Sequence, residues 1–178
     1  MPAGSSDGGQ WTGTGGGDGD AGDWSSATGS GEQLAQADRG GLPVDLAEEE
    51  SRGGHAIADH VGKSPDALLE RAGQKYQSLL VDVVVYRAGS FPSLAAATKL
   101  VNSTISQNLD IVNRVAAGIE TKAFVTATFS SQTGIEAYRP TPDSQPYLRD
   151  TYGVGVAIVH DDNSPNGYTV VTAYPRND

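Results

Sequence analysis

The sequence predicts an α+β fold, with helices first and a twisted antiparallel sheet after them. Two observations carry this. Apolar residues recur at helical spacing up to Gly118 and at a period near two beyond it. No glycine-rich stretch lies between a strand and a helix, so the alternating units of a nucleotide-binding α/β fold are absent. The chain also has no cysteine, which removes disulfides and thiolate metal sites from its means of stabilisation.

Charge divides the 178 residues into two parts. Residues 1–50 hold ten of the 22 acidic groups and one base, Arg39, whereas 51–178 are close to neutral. The first part is Gly, Ser, Thr and Asp with two isolated tryptophans, Trp11 and Trp24, and reads as a disordered acidic leader or linker. Residues 32–50 are broken by Gly40, Gly41 and Pro43, so at most frayed turns are expected there. A folded domain is expected over 51–178. A nearly neutral domain lacks the broadly basic face of a general nucleic-acid binder, but a local cationic site is compatible with it. No run of 18 apolar residues spans a membrane, and the N-terminus lacks the pattern of a secretory signal.

The elements follow in order. Gly54–Val61 reads as a short helix with Ile57 and Val61 on its buried side. Ser64-Pro65-Asp66 supplies an N-cap hydroxyl, a proline at the first position and an acid for the dipole, starting a helix over 65–76. Leu68, Leu69, Ala72 and Tyr76 form its stripe. Val81–Tyr86 is a β-branched run. Pro92 opens a helix to about Leu109, continued to Ala117 and ended by Gly118. Lys122–Phe129, Gly134–Tyr138, Tyr152–His160 and Gly167–Tyr174 read as strands, the last two joined by the turn-rich 161–166. Strict alternation puts Tyr168, Val170, Thr172 and Tyr174 on one face of the last strand.

Chemistry-bearing residues cluster near the helices. His55 and His60 are five apart, which on a helix turns their side chains about 140° from each other. A metal pair needs the four-residue spacing, so no metal is expected between them. His60 lies about 60° around the helix from Ile57, at the margin of the apolar stripe. An imidazole there is held by packing yet reachable, with an ordinary pKa suited to proton transfer near neutrality. A histidine at such a margin is commoner as a packing residue. Arg71 flanks the stripe of its helix and alone reads as a solvated partner of Glu70 or Asp66. His160, beside the hairpin turn, reads as structural.

Taken together, Gly53-Gly54-His55, His60-Val61-Gly62-Lys63-Ser64 and Leu68-Leu69-Glu70-Arg71 resemble the opening of the RNase A-like toxin domains of bacterial contact-dependent growth inhibition and other polymorphic toxins. Gly89-Ser90-Phe91-Pro92-Ser93-Leu94, Asn108 and the ending Tyr168-Thr169-Val170-Val171-Thr172-Ala173-Tyr174-Pro175 extend the resemblance over about Gly53 to Pro175. Thr128–Tyr152 contributes little to it. The resemblance implies a kidney-shaped fold like pancreatic ribonuclease without its disulfides. It places the active site on His60, Arg71, Thr172 and Tyr174, with His55 and Lys63 in secondary roles and no metal or cofactor. It implies cleavage of RNA, tRNA among the candidate substrates, by attack of the 2′-hydroxyl to leave a cyclic phosphate. It further implies a cognate immunity protein, a larger delivery protein upstream, and action in the cytoplasm of the target bacterium after delivery at the cell surface. Replacing His60 with Ala is then expected to abolish cleavage with little loss of stability.

Two other classes of function stand beside this one. A catalytically inactive copy of the fold would bind a partner protein, although the four site residues are all present. Another toxin chemistry, such as a metal-dependent DNase, would need a cluster of carboxylates and histidines to hold the ion. The acids of the folded part (Asp59, Asp66, Glu70, Asp82, Asp110 and others) show no metal-ligand spacing. Selectivity for a particular RNA is expected to lie in loops such as Pro140–Asp150.

Overall fold

The computed structural model describes residues 42–77 and 82–177. The expectations for residues 1–41, both tryptophans included, lie outside the described residues. Among the described residues, Val44 and Leu46 already belong to the main core, and Val44 lies seven residues before the domain was expected to start. Leu46–Ser51 forms a helix (α1) where only frayed turns were expected. The Asp45 carboxylate caps it by accepting from Ala47 N at 2.8 Å.

Ala56–His60 (α2) and Pro65–Gly73 (α3) follow, the latter capped by the Ser64 hydroxyl on Ala67 N. The α3 helix stops at Gly73 rather than at residue 76. Tyr76 therefore belongs to a short strand, Lys75–Gln77 (β1), paired antiparallel with Asp82–Val84 (β2). Arg87–Ser90 (β3) leads into Leu94–Ser106 (α4), whose N-cap is Ser93, and Leu109–Ala116 (α5) is a separate helix. The remaining strands are Lys122–Thr128 (β4), Gly134–Tyr138 (β5), Tyr147–Thr151 (β6), Gly153–His160 (β7) and Tyr168–Arg176 (β8). Helices first and antiparallel strands afterwards is the α+β arrangement that the periodicity predicts.

The longer strands form two three-stranded antiparallel sheets, β4-β7-β8 and β3-β5-β6. The first carries the main core: Val125, Val154, Val156, Ile158, Tyr168 and Val170 pack against Val101 and Ile105 of α4 and Val112 and Val115 of α5. The second sheet packs Ala88 and Ala137 against Leu68 and Ala72 of α3. The sheets meet at Pro175. A Cβ on Gly89 would run into the Pro175 carbonyl, and one on Gly134 would meet its ring and the Ser90 carbonyl. Glycines at these two positions let strands from different sheets close on each other.

Glu136, fully buried in β5, holds this junction by charge. Its Oε1 pairs with Arg149 Nη2 of β6 at 2.6 Å and accepts from the Asn177 backbone, while Arg87 of β3 lies 3.9 Å from Oε2. Cations and backbone donors gathered around a buried carboxylate offset its desolvation.

Candidate active site

The site begins with a fault in the last strand. Ala157 faces Thr172 but Ile158 faces Val170, so Val171 is an extra residue, a β-bulge. This overturns the expected alternation. Tyr168 and Val170 stay in the core and Ala173 joins them. Thr172 and Tyr174 turn to the opposite face, across from Ala157 and Gly155. The bulge frees backbone groups, and residues before α3 satisfy them. Glu49 Oε2 accepts from Val170 N at 2.6 Å, and His55 N donates to the Val171 carbonyl at 2.9 Å. The Glu50 carboxylate accepts from Ile57 N and Ala58 N, fixing the start of α2. Acids expected in a solvated leader thus build the site.

At the end of α2 the His60 imidazole is only 9% exposed and lies against the Tyr174 ring, centroids 5.2 Å apart. His60 Nδ1 is 2.9 Å from the Gly89 carbonyl. A carbonyl only accepts, so Nδ1 carries the proton and Nε2 presents a lone pair. Burial pushes the imidazole pKa below its usual value. The Arg71 and His55 charges add to this, while the Gly89 bond and Asp59 oppose it. His60 is therefore neutral at neutral pH. The marginal position expected for it becomes a nearly buried one, for which truncation to Ala also removes packing and leaves Gly89 O without its donor.

Arg71 reaches back from α3 to the residue before His60. Its Nη2 lies 2.9 Å from Asp59 Oδ2 and its Nη1 3.4 Å from the Asp59 carbonyl. The expected partners Glu70 and Asp66 are not the ones it takes here. The hydrogen bond from Arg71 is the main cause holding the Asp59 carboxyl below its usual range. Thr172 Oγ1 is buried, with no hydrogen-bonding partner among the described residues. Lys63 lines two adjoining surface cavities of about 430 and 360 Å³, the smaller shared with Asp59 and Arg71. Its backbone N–H donates to the Ser90 hydroxyl.

His55 is exposed at the N-cap of α2 and enters the site through its backbone rather than its ring. His160 is structural: Nδ1 lies within 3.0 Å of the Val115 and Gly167 carbonyls, and Nε2 3.2 Å from Asp162. His60 of α2 thus converges with Tyr174 on the face of β8 that also carries Thr172, and Arg71 of α3 reaches this group through Asp59, the residue before His60. Sequence reasoning missed Asp59, Glu49 and Gly89. The first two are acids whose partners lie 12 and 121 residues away, and the third enters the site through its carbonyl.

The architecture and this convergence define a cysteine-free α+β domain with an imidazole, a guanidinium and two hydroxyls at one site. Residues 54–175 match the family described as the bacterial CdiA-CT RNAse A domain, and the chain belongs to that family. The fold is similar to the crystal structure of a CdiA-CT/CdiI complex from Y. kristensenii 33638. That comparison gives a TM-score of 0.57 and 23% identity, covering 70% of this chain and 100% of that one. No curated protein matches the chain.

Proposed function

We propose that the domain is a metal-independent endoribonuclease toxin that cleaves RNA by transphosphorylation. The observation that carries this is His60: its Nδ1–H is committed to Gly89, its burial keeps it neutral, and its Nε2 is left as a base. Nε2 takes the proton of a ribose 2′-hydroxyl, the 2′-oxygen bonds to phosphorus, and the bond to the 5′-oxygen breaks. The products are a cyclic phosphate and a 5′-hydroxyl. Arg71, steered by Asp59, donates its planar fork to the charge developing on the phosphoryl oxygens. The attacking and leaving oxygens lie in line on opposite sides of phosphorus, so one imidazole does not serve both. Tyr174, its ring tilted against that of His60, supplies the proton for the 5′-oxygen. Thr172, on the same face of β8 as Tyr174, orients a phosphoryl oxygen once its side chain turns outward the buried hydroxyl that has no partner among the described residues.

Family membership supports a toxin role, and the solved CdiA-CT/CdiI complex supports a cognate immunity protein as partner. In this reading a larger delivery protein carries the domain to a competing bacterium, where it acts on cytoplasmic RNA. Among the described residues no helix is long and apolar enough to cross a membrane.

The test is incubation with total bacterial RNA, with and without EDTA, followed by analysis of product ends. Cleavage that persists in EDTA, ends in cyclic phosphates and is lost in His60→Ala is the expected result. Intact RNA under all conditions would leave the inactive partner-binding module as the reading.

A further inference from the structure

On the same sheet face, beyond Tyr174, lies an aromatic ring that the proposed chemistry does not use. Phe124 of β4 pairs with Ala157, yet its side chain leans diagonally over Gly155, where a Cβ would collide with the ring edge. The Arg176 stem lies at the same glycine, its Cδ 3.2 Å from where that Cβ would sit, and its guanidinium carbon is 5.7 Å from the phenyl centroid. Gly155 is thus a shallow seat that lets a phenyl ring and an arginine stem settle side by side on the sheet. The ring remains 45% exposed. Its centroid is 5.9 Å from that of Tyr174, which is 5.2 Å from that of His60. Two successive ring contacts therefore lead from the imidazole to a partly exposed phenyl ring with the Arg176 guanidinium lying over it.

A lone exposed phenylalanine is ordinary. This one is seated by a glycine, joined to the candidate catalytic rings and flanked by Arg176. Single-stranded RNA offers the matching chemistry: an unpaired base stacks on an aromatic side chain while a cation faces the adjoining phosphate. We propose that Phe124 is a base-stacking subsite that seats the nucleoside on one flank of the scissile phosphate, with Arg176 facing the next phosphate along the strand. The inference rests on the nuclease reading and makes unpaired RNA the substrate class. Stacking accepts any base, so the subsite sets strand position more than sequence.

The experiment uses the full chain, short single-stranded RNA substrates, and Phe124→Ala and Phe124→Trp variants. Phe124→Ala is expected to raise KM roughly tenfold with kcat nearly unchanged, and Phe124→Trp to restore it. A substrate with an abasic ribose on one flank of the cut should lose the same factor with the wild type and lose nothing more with Phe124→Ala. Equal sensitivity of intact and abasic substrates to Phe124→Ala, on both flanks, would overturn the subsite. Binding of 3′-nucleoside monophosphates, followed by calorimetry, separates the two readings. Nucleotide binding weakened by Phe124→Ala in a protein that cleaves no RNA sinks the nuclease and keeps the subsite. Cleavage and binding both unaffected by Phe124→Ala sink the subsite and keep the nuclease.

Discussion

His60 stores a measurable pH signature. Its folded pKa is depressed below the ordinary value of 6.5, chiefly by burial, so the unfolded chain binds the proton more readily. Stability contributed by the neutral ring is complete above 6.5 and is lost as pH falls below it, until the folded pKa is passed. Urea unfolding of wild type and His60→Gln across that range should show the wild type losing more stability on acidification. Parallel curves would mean that the ring is not buried neutral. Asp59 has a different task, holding the guanidinium of Arg71 beside the imidazole. Asp59→Asn keeps the shape and removes the charge, letting Arg71 wander. A fall of about 10- to 100-fold in kcat/KM is expected, with the melting temperature little changed because the pair is one-third exposed.

At the scale of elements, the bulge at Val171 decides where Thr172 and Tyr174 point, and α1 stabilises the bulge through Glu49. Glu49→Ala leaves the buried Val170 N–H unpaired, costing about 1–3 kcal/mol, and frees β8 to shift at the site. Glu49→Gln retains an acceptor and sheds a charge whose pKa burial already raises, so it should stay close to wild type in stability. Thermal melts of both variants, with their cleavage rates, check this pair. Helix starts, the long strands and the order of classes were legible because Ser64-Pro65, Pro92 and the β-branched runs are local signals, although the cap beside Pro92 is Ser93 and the helix begins at Leu94. The bulge was not, because nothing in Val170-Val171-Thr172 distinguishes an extra residue from strict alternation. Nor were β3 and β6. Arg87-Ala-Gly-Ser has no β-branched residue and is a strand only because β5 pairs with it. Tyr147-Leu-Arg-Asp-Thr is a polar edge strand that reads as loop.

Over the whole molecule, two sheets with separate cores are joined at Pro175 and around the buried Glu136, and the candidate site lies along the border. The composition showed why neither disulfides nor a broadly basic face need be invoked. It did not show that the acids at 49 and 50 belong to the folded body, because a run of glutamates looks the same solvated or buried. The four candidate positions were supplied by the motif resemblance, and the structure sets two of them, His60 and Tyr174, in ring contact. Asp59 and Gly89 were not so supplied, since their work depends on which segments the fold brings beside them.

One further property lies in how the chain distributes these groups. His60 and Arg71 precede the loop between β5 and β6, whereas Thr172 and Tyr174 follow it, and that loop is largely exposed from 139 to 146. Opening the backbone between Ser144 and Gln145 would divide the molecule into two pieces, each with two of the four candidate site residues. The first piece keeps β4 and β5, whose edges are the templates for β7 and β6 of the second. Expressed apart, the pieces should be harmless to RNA; mixed, they should regain cleavage in proportion to their association. Fused to two interacting proteins, they would become a reporter of proximity whose output is nucleic acid destroyed. On the proposed reading, a nuclease stored as two inert parts would be the practical return of a site whose groups come from both sides of one loop.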